Sequence, residues 1–320
     1  MTQPLSRHSR LCGVFTALVT PMREGVLDLP AFESHVARQL DAGIRGLVPV
    51  GTTGEASTLT GDETAQIIRS TVALARGRAF VLAGAGANAT RTAIDNARRA
   101  ADLGADGLLI ATPSYNLPSQ AGLFAHFAAV AAAVEIPIML YSVPGRTGVE
   151  LAPATVARLG AACANIVGIK EAGGRAERVT ALRMACGPDF VIHSGDDTLT
   201  LPFLALGADG VTSVASNVAP MQVAALHAAW VAGDTRTALR LHEGMFDLVR
   251  HLFIETNPVP VKAVLAAMGC MSSEVRAPLC PLGSGAHAAL QASLQRWCTA
   301  SLATREGFPD VSRKPTSQAA

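Results

Sequence analysis

A (β/α)8 barrel, the TIM-barrel form of the α/β class, followed by a C-terminal helical extension, is the fold this sequence predicts. Three observations carry that reading. Eight short runs of strand-like composition alternate along the chain with amphipathic helical patterns. Most of those runs are continuously apolar, as parallel strands covered on both faces are. One short signature recurs where a helix gives way to a strand: Leu40-Asp41-Ala42-Gly43-Ile44-Arg45-Gly46, Leu103-Gly104-Ala105-Asp106-Gly107 and Leu206-Gly207-Ala208-Asp209-Gly210. In each, the first glycine suits a left-handed helix cap and the second opens a strand. The copies keep no fixed period, which excludes a solenoid. A doubly wound sheet is the alternative arrangement of the same elements. A dinucleotide fold is not marked, because Gly84-Ala85-Gly86 lacks the third glycine and the later acidic partner.

The expected strands are 13–19, 46–50, 80–84, 107–111, 137–141, 166–170, 190–194 and 210–214. Between them, Phe32, Val36 and Leu40 recur at four-residue spacing and mark the buried face of a first helix. Thr60-Gly61-Asp62-Glu63 is a capping box that opens the next, with Ile67, Ile68, Val72 and Leu74 behind it. After the eighth run, helical patterns cover 221–232, 235–253, 259–268 and 284–298. Two prolines in Asn257-Pro258-Val259-Pro260-Val261-Lys262 forbid a continuous helix there, so one is expected to begin near Pro260. The division read from this is a barrel over 11–218, a helical region over 219–300, and flexible tails at 1–10 and 301–320.

Composition narrows the function. With 49% apolar and 16% charged residues, the chain can bury one large core. A net charge of +1 supplies no field for nucleic acid or an anionic membrane. The first ten residues are polar with two arginines and no long apolar h-region follows them, so no signal peptide is expected. Every apolar run is broken well short of a membrane span. Cys12, Cys163, Cys186, Cys270, Cys280 and Cys298 are irregularly spaced with no C-x-x-C, which predicts free buried thiols and a cytosolic protein.

In a barrel of this kind, chemistry sits at the C-terminal ends of the strands. Lys170 ends the sixth run. A lysine there either reaches solvent, pairs with Glu171, or acts as a nucleophile after shedding its proton, which burial favours. Gly51-Thr52-Thr53-Gly54-Glu55 follows the second run. It is either a plain turn or a cradle whose N–H groups approach an anion, and without Gly-Lys-Ser/Thr it is no nucleotide P-loop. Tyr141 ends the fifth run and Tyr115 follows the fourth; packing is the ordinary role of each. Arg146 lies in a Pro-Gly-Arg-Thr-Gly turn, suited to a salt bridge or to a substrate carboxylate. His193-Ser194-Gly195-Asp196-Asp197 reads as a structural loop in which Gly195 leaves room. A metal is disfavoured because no second histidine lies at ligand spacing. An amine, hydroxyls, a phenol, N–H donors and a guanidinium together suit Schiff-base chemistry on a keto acid.

With Thr112-Pro113-Ser114-Tyr115-Asn116 added, six motifs in this order resemble the dihydrodipicolinate synthase / N-acetylneuraminate lyase family of class I aldolase-type barrels, from about Cys12 to Leu290. The Thr-Thr pair, Tyr115 and the Arg146-Thr147-Gly148 turn resemble its synthase branch. That resemblance implies that Lys170 forms a Schiff base with pyruvate and that the Thr52–Thr53 loop holds its carboxylate. It implies that Tyr141 moves protons through Thr53 to Thr52 and Tyr115, a relay completed by a neighbouring subunit's tyrosine. Arg146 would bind the carboxylate of L-aspartate semialdehyde. Gly195 and Thr212 would border the substrate. No metal or organic cofactor is implied, and the assembly implied is a cytoplasmic homotetramer of tight dimers serving lysine and diaminopimelate biosynthesis. Three departures from the family pattern stand out. Ser114 replaces an interface aromatic. Thr212 replaces an apolar branched residue, with a hydroxyl that could meet a substituted keto acid. Gly61, Thr64 and Thr92 occupy places that form a lysine-feedback site in some members, so little inhibition by lysine is expected. The alternatives are a sibling aldolase or dehydratase for sugar acids, or a non-catalytic keto-acid-binding paralogue.

Overall fold

The computed structural model describes residues 10–303, with side chains from 10 to 300. Each expected run forms a strand: β1 (Gly13–Ala17), β2 (Gly46–Val48), β3 (Phe80–Gly84), β4 (Gly107–Ala111), β5 (Ile138–Ser142), β6 (Ile166–Glu171), β7 (Val191–Ser194) and β8 (Gly210–Ser213). They close into a barrel in sequence order, with β8 returning to β1, and every pairing is parallel. Register sets Tyr141, Lys170 and His193 level on adjacent strands. Side chains that alternate along each strand build two cores. Phe15, Val48, Leu82, Leu109, Met139 and Val191 fill the barrel interior, while Val14, Leu47, Val81, Leu108, Ile138 and Ile192 meet the helices outside.

One return helix follows each strand: α1 (Leu29–Asp41), α2 (Gly61–Ala75), α3 (Thr90–Asp102), α4 (Gln120–Ala131), α5 (Pro153–Ala162), α6 (Glu177–Cys186), α7 (Thr200–Ala205) and α8 (Pro220–Val231), with a further single turn, Pro144–Thr147, carrying Arg146 ahead of α5. Phe32, Val36 and Leu40 are buried on α1, and Thr60 with Glu63 forms the capping box of α2. Helix α8 packs against β1 and completes the eighth pair, so the pairs run past residue 218 into the segment read as C-terminal. The true extension is α9 (Thr235–His251), α10 (Val259–Ala267) and α11 (Ser284–Ala303). Helix α10 begins beside Pro260, as expected.

Three features depart from expectation. A two-stranded hairpin, Met22–Arg23 with Val26–Leu27, fills the link between β1 and α1. Its turn places Glu24 and Gly25 at positive φ, the form that two-residue hairpins favour. The six cysteines are free, but none is fully buried and Cys280 is exposed; Cys163, Cys186, Cys270 and Cys298 pack half-buried against the core. The expected tails lie outside the described residues except at their inner ends, where Arg10 pairs with Asp106 and 301–303 close α11. No helix among the described residues is long and apolar enough to cross a membrane.

Candidate active site

A cleft of about 630 Å³ opens at the C-terminal ends of the strands, walled by Thr52, Leu109, Ser114, Tyr141, Arg146 and Asn257 among others. Lys170 stands behind that wall. It is 6% exposed, and its Nζ lies 4.3 Å from the centroid of the Tyr141 ring. Nζ makes no ion pair or hydrogen bond among the described residues. Pairing with Glu171 is ruled out by strand geometry: consecutive side chains point to opposite faces. Glu171 faces the helices, where it pairs with Arg178 at 2.9 Å and accepts from the Gly173 N–H at 2.7 Å. Burial raises the Glu171 pKa against the pull of Arg178. Gly195 is required beside the amine, because a Cβ there would lie 2.6 Å from Ala172 Cβ and 3.0 Å from Lys170 Cε.

The loop after β2 is bracketed by two non-glycine residues in the left-handed region, Val50 at φ 49 and Glu55 at φ 56. It closes on itself through Gly54 N–H to Gly51 O, Glu55 N–H to Thr52 O and Ala56 N–H to Gly51 O. The Thr52 and Thr53 N–H groups donate to no acceptor among the described residues, so two backbone donors remain for an anion. Thr53 is buried, and its Oγ1 accepts from Asn257 Nδ2 at 2.9 Å. Among the described residues it makes no hydrogen bond to Tyr141 or Thr52. Arg146 Nη2 donates to the Asn257 carbonyl at 3.2 Å, which points the guanidinium across the cleft mouth.

Two expected site residues are placed elsewhere. Tyr115 is 94% exposed at φ 73 and does not line its own chain's cleft. Thr212 is fully buried, and its hydroxyl turns from the cleft to His193 Nδ1 at 3.0 Å. His193 Nε2 lies 2.7 Å from the Leu11 carbonyl, which can only accept, so Nε2 carries the proton and Nδ1 takes the Thr212 hydroxyl's. Burial, with Lys170 adding to it, lowers the His193 pKa to about 4 and keeps the ring neutral. Ser114 binds Asn88 Oδ1 through its N–H and its hydroxyl, at 3.1 and 2.8 Å. Asp197 is occupied structurally, accepting from Ser213 Oγ and from the Val214 and Ala215 N–H groups.

A family model described as the dihydrodipicolinate synthetase family matches residues 10–297. The chain belongs to that family. Among curated relatives, the 4-hydroxy-tetrahydrodipicolinate synthase of Nitratidesulfovibrio vulgaris (strain DP4) is 49% identical over 84% of this chain and 92% of its own. The solved 4-hydroxy-tetrahydrodipicolinate synthase of Methylacidiphilum fumariolicum SolV superposes with a TM-score of 0.91 at 44% identity, covering 92% of this chain and 98% of that one. A second solved structure, of a dihydrodipicolinate synthase variant characterised as monomeric, gives 0.88 at 39% identity over 91% and 98%. The sequence motifs contain Asn257, Lys262 and Glu55 but give none of them a site role: Asn257 reaches Thr53, and Lys262 pairs with Glu55 in the interior. A lysine inside the apolar stretch Val259-Pro260-Val261-Lys262-Ala263-Val264-Leu265 was the available signal, since lysine is rarely buried without a partner.

Proposed function

We infer that this chain acts as a Schiff-base-forming 4-hydroxy-tetrahydrodipicolinate synthase, condensing pyruvate with L-aspartate 4-semialdehyde. The observation that carries the reading is Lys170, a buried amine without an anionic partner, set against a phenol beside a loop with two unused N–H donors. Lys170 Nζ attacks C2 of pyruvate, and the resulting carbinolamine loses water to give a protonated imine. The Thr52 and Thr53 N–H groups hold the pyruvate carboxylate, and the Tyr141 hydroxyl carries the protons that this step moves. The imine draws electrons from C3, which loses a proton and becomes the nucleophilic carbon of an enamine. That carbon bonds to the aldehyde carbon of the semialdehyde, whose carboxylate Arg146 holds. The semialdehyde's own amine then attacks C2, closing the ring and displacing Lys170. Pyruvate and semialdehyde thus give product with net loss of a single water.

Tyr115 serves this reading from a second subunit. Its exposed ring has no role in its own cleft and fits a relay shared across a dimer, within a homotetramer in the cytoplasm. A sugar-acid acceptor is less well supported, because the Thr212 hydroxyl that favoured it is engaged by His193. Borohydride reduction with pyruvate, followed by peptide mass mapping, tests the reading. The expected result is a pyruvyl adduct on Lys170, with pyruvate consumed only when semialdehyde is present. An adduct without semialdehyde-dependent turnover would transfer the chemistry to another acceptor, and absence of the adduct would remove it.

A further inference from the structure

We propose that the buried Lys262–Glu55 ion pair is a positioning device through which the C-terminal helical region sets the pyruvate affinity of the barrel site. The inference rests on reading the Thr52–Thr53 loop as the pyruvate carboxylate cradle.

The cradle is not a shape its own sequence prefers. Glu55 holds φ 56 and ψ 35, the left-handed region that is costly for a residue carrying a side chain. Such a conformation persists only where the surroundings over-determine it. Here the surroundings come from the other end of the chain. Lys262 Nζ, with its side chain 0% exposed, donates to Glu55 Oε1 at 2.6 Å and to the Thr20 carbonyl at 2.9 Å. The Arg276 N–H donates to Glu55 Oε2 at 2.9 Å, so both carboxylate oxygens are held. Thr20 Oγ1 donates to the Gly54 carbonyl at 2.8 Å, and Asn257 Nδ2 to Thr53 Oγ1 at 2.9 Å. The Arg276 guanidinium bonds the Thr58 carbonyl and Glu63, the acid of the α2 capping box. Three C-terminal residues, Asn257, Lys262 and Arg276, therefore fix Thr53 and Glu55 directly and Gly54 through Thr20. The free N–H groups of Thr52 and Thr53 lie inside this frame. A charge-assisted bond fully shielded from water holds its geometry far better than an exposed one. Donors fixed before substrate arrives bind it without the cost of ordering the loop.

The test uses the full chain with Lys262→Met, Glu55→Gln and the two combined. Pyruvate KM and kcat are measured with melting temperature, and borohydride trapping on Lys170 is followed against pyruvate concentration. The single variants are expected to raise pyruvate KM about tenfold with kcat within about threefold, the pattern of lost ground-state binding. Each also lowers the melting temperature by leaving a buried group without its partner. The double variant leaves no uncompensated charge, so its stability recovers. Its KM stays raised, because nothing restores the clamp on Glu55. A double variant with pyruvate KM within about twofold of wild type would reduce the pair to a stability element and overturn the proposal. If the single variants fail to fold, the double variant alone decides. Trapping in the wild type separates the two claims. No adduct there removes the pyruvate reading and this inference with it, whereas an adduct with unchanged affinity in the double variant removes only the positioning role.

Discussion

Lys170 and Lys262 are both taken out of water by this fold, at 6% and 0% exposure, and their surroundings are opposite. Lys262 meets a carboxylate and a carbonyl, the two groups that make a buried ammonium tolerable. Lys170 meets an aromatic face and no anion. The difference separates structure from chemistry. A carboxylate salt-bridged to Lys170 would stabilise its charged form and oppose nucleophilic attack. A lysine without one at Lys262 would leave Glu55 unpaired and the cradle loop unheld. Burial alone therefore does not mark a nucleophile; burial without an anion does.

The comparison breaks most readily at its extremes. Lys170→Ala should cut turnover by on the order of 10⁴-fold or more and abolish borohydride trapping, with little change in melting temperature because no ion pair is lost. Retained turnover would show that the amine does no covalent work. Lys262→Met should do the converse to stability, costing about 3–5 kcal/mol in denaturant unfolding by stranding Glu55; a cost below about 1 kcal/mol would place the pair in effective contact with water. Tyr141→Phe keeps the ring against Lys170 and removes only the hydroxyl. A kcat lower by about 10²-fold, with trapping still detectable, is the expected mark of a proton carrier, and an unchanged kcat would assign the phenol to packing.

A subtler test uses the imidazoles. Burial lowers the His193 pKa to about 4 and that of His35 to about 3, against an ordinary imidazole value of 6.5. Unfolded chains thus bind more protons than folded ones across that interval. The stabilisation is complete above pH 6.5 and is lost as pH falls toward 4 for His193 and toward 3 for His35. His193→Leu should flatten the decline in unfolding free energy between pH 7 and pH 4.5 by about 2 kcal/mol. An identical slope in wild type and variant would mean that the ring takes up its proton in the fold as readily as in the unfolded chain. Smallest of all is the effect of free lysine. With Gly61, Thr64 and Thr92 in place of charged and imidazole groups, half-inhibition should require more than about millimolar lysine in a steady-state assay.

What the sequence disclosed and what it withheld divide along physical lines. Strands and helix caps are local, so apolar runs and the Thr60–Glu63 box could be read directly. Lys170, Tyr141 and Arg146 could be read because strand ends have known places in a barrel. The partners of the loop could not. Asn257 lies 204 residues from Thr53, and Lys262 lies 207 from Glu55. Nothing in a sequence ranks such pairs by distance. The direction of the Thr212 hydroxyl is illegible for a related reason. Its position on β8 was correct, but a hydroxyl's direction depends on which neighbour can accept, and His193 is on another strand. Tyr115 shows a third limit: a backbone held at φ 73 aims the ring away from its own chain.

His193 has one further use. Its Nε2 proton is enclosed between the Leu11 carbonyl and the barrel interior, level with Lys170 on the next strand. Such a proton exchanges slowly with solvent and resonates far downfield of the amide envelope in a proton NMR spectrum. Its frequency follows the local field, and that field changes when the neighbouring amine becomes an imine. The protein thus carries an internal probe of its own covalent state. Titrating pyruvate while watching that single resonance would time imine formation without a label, a coupling enzyme or the second substrate.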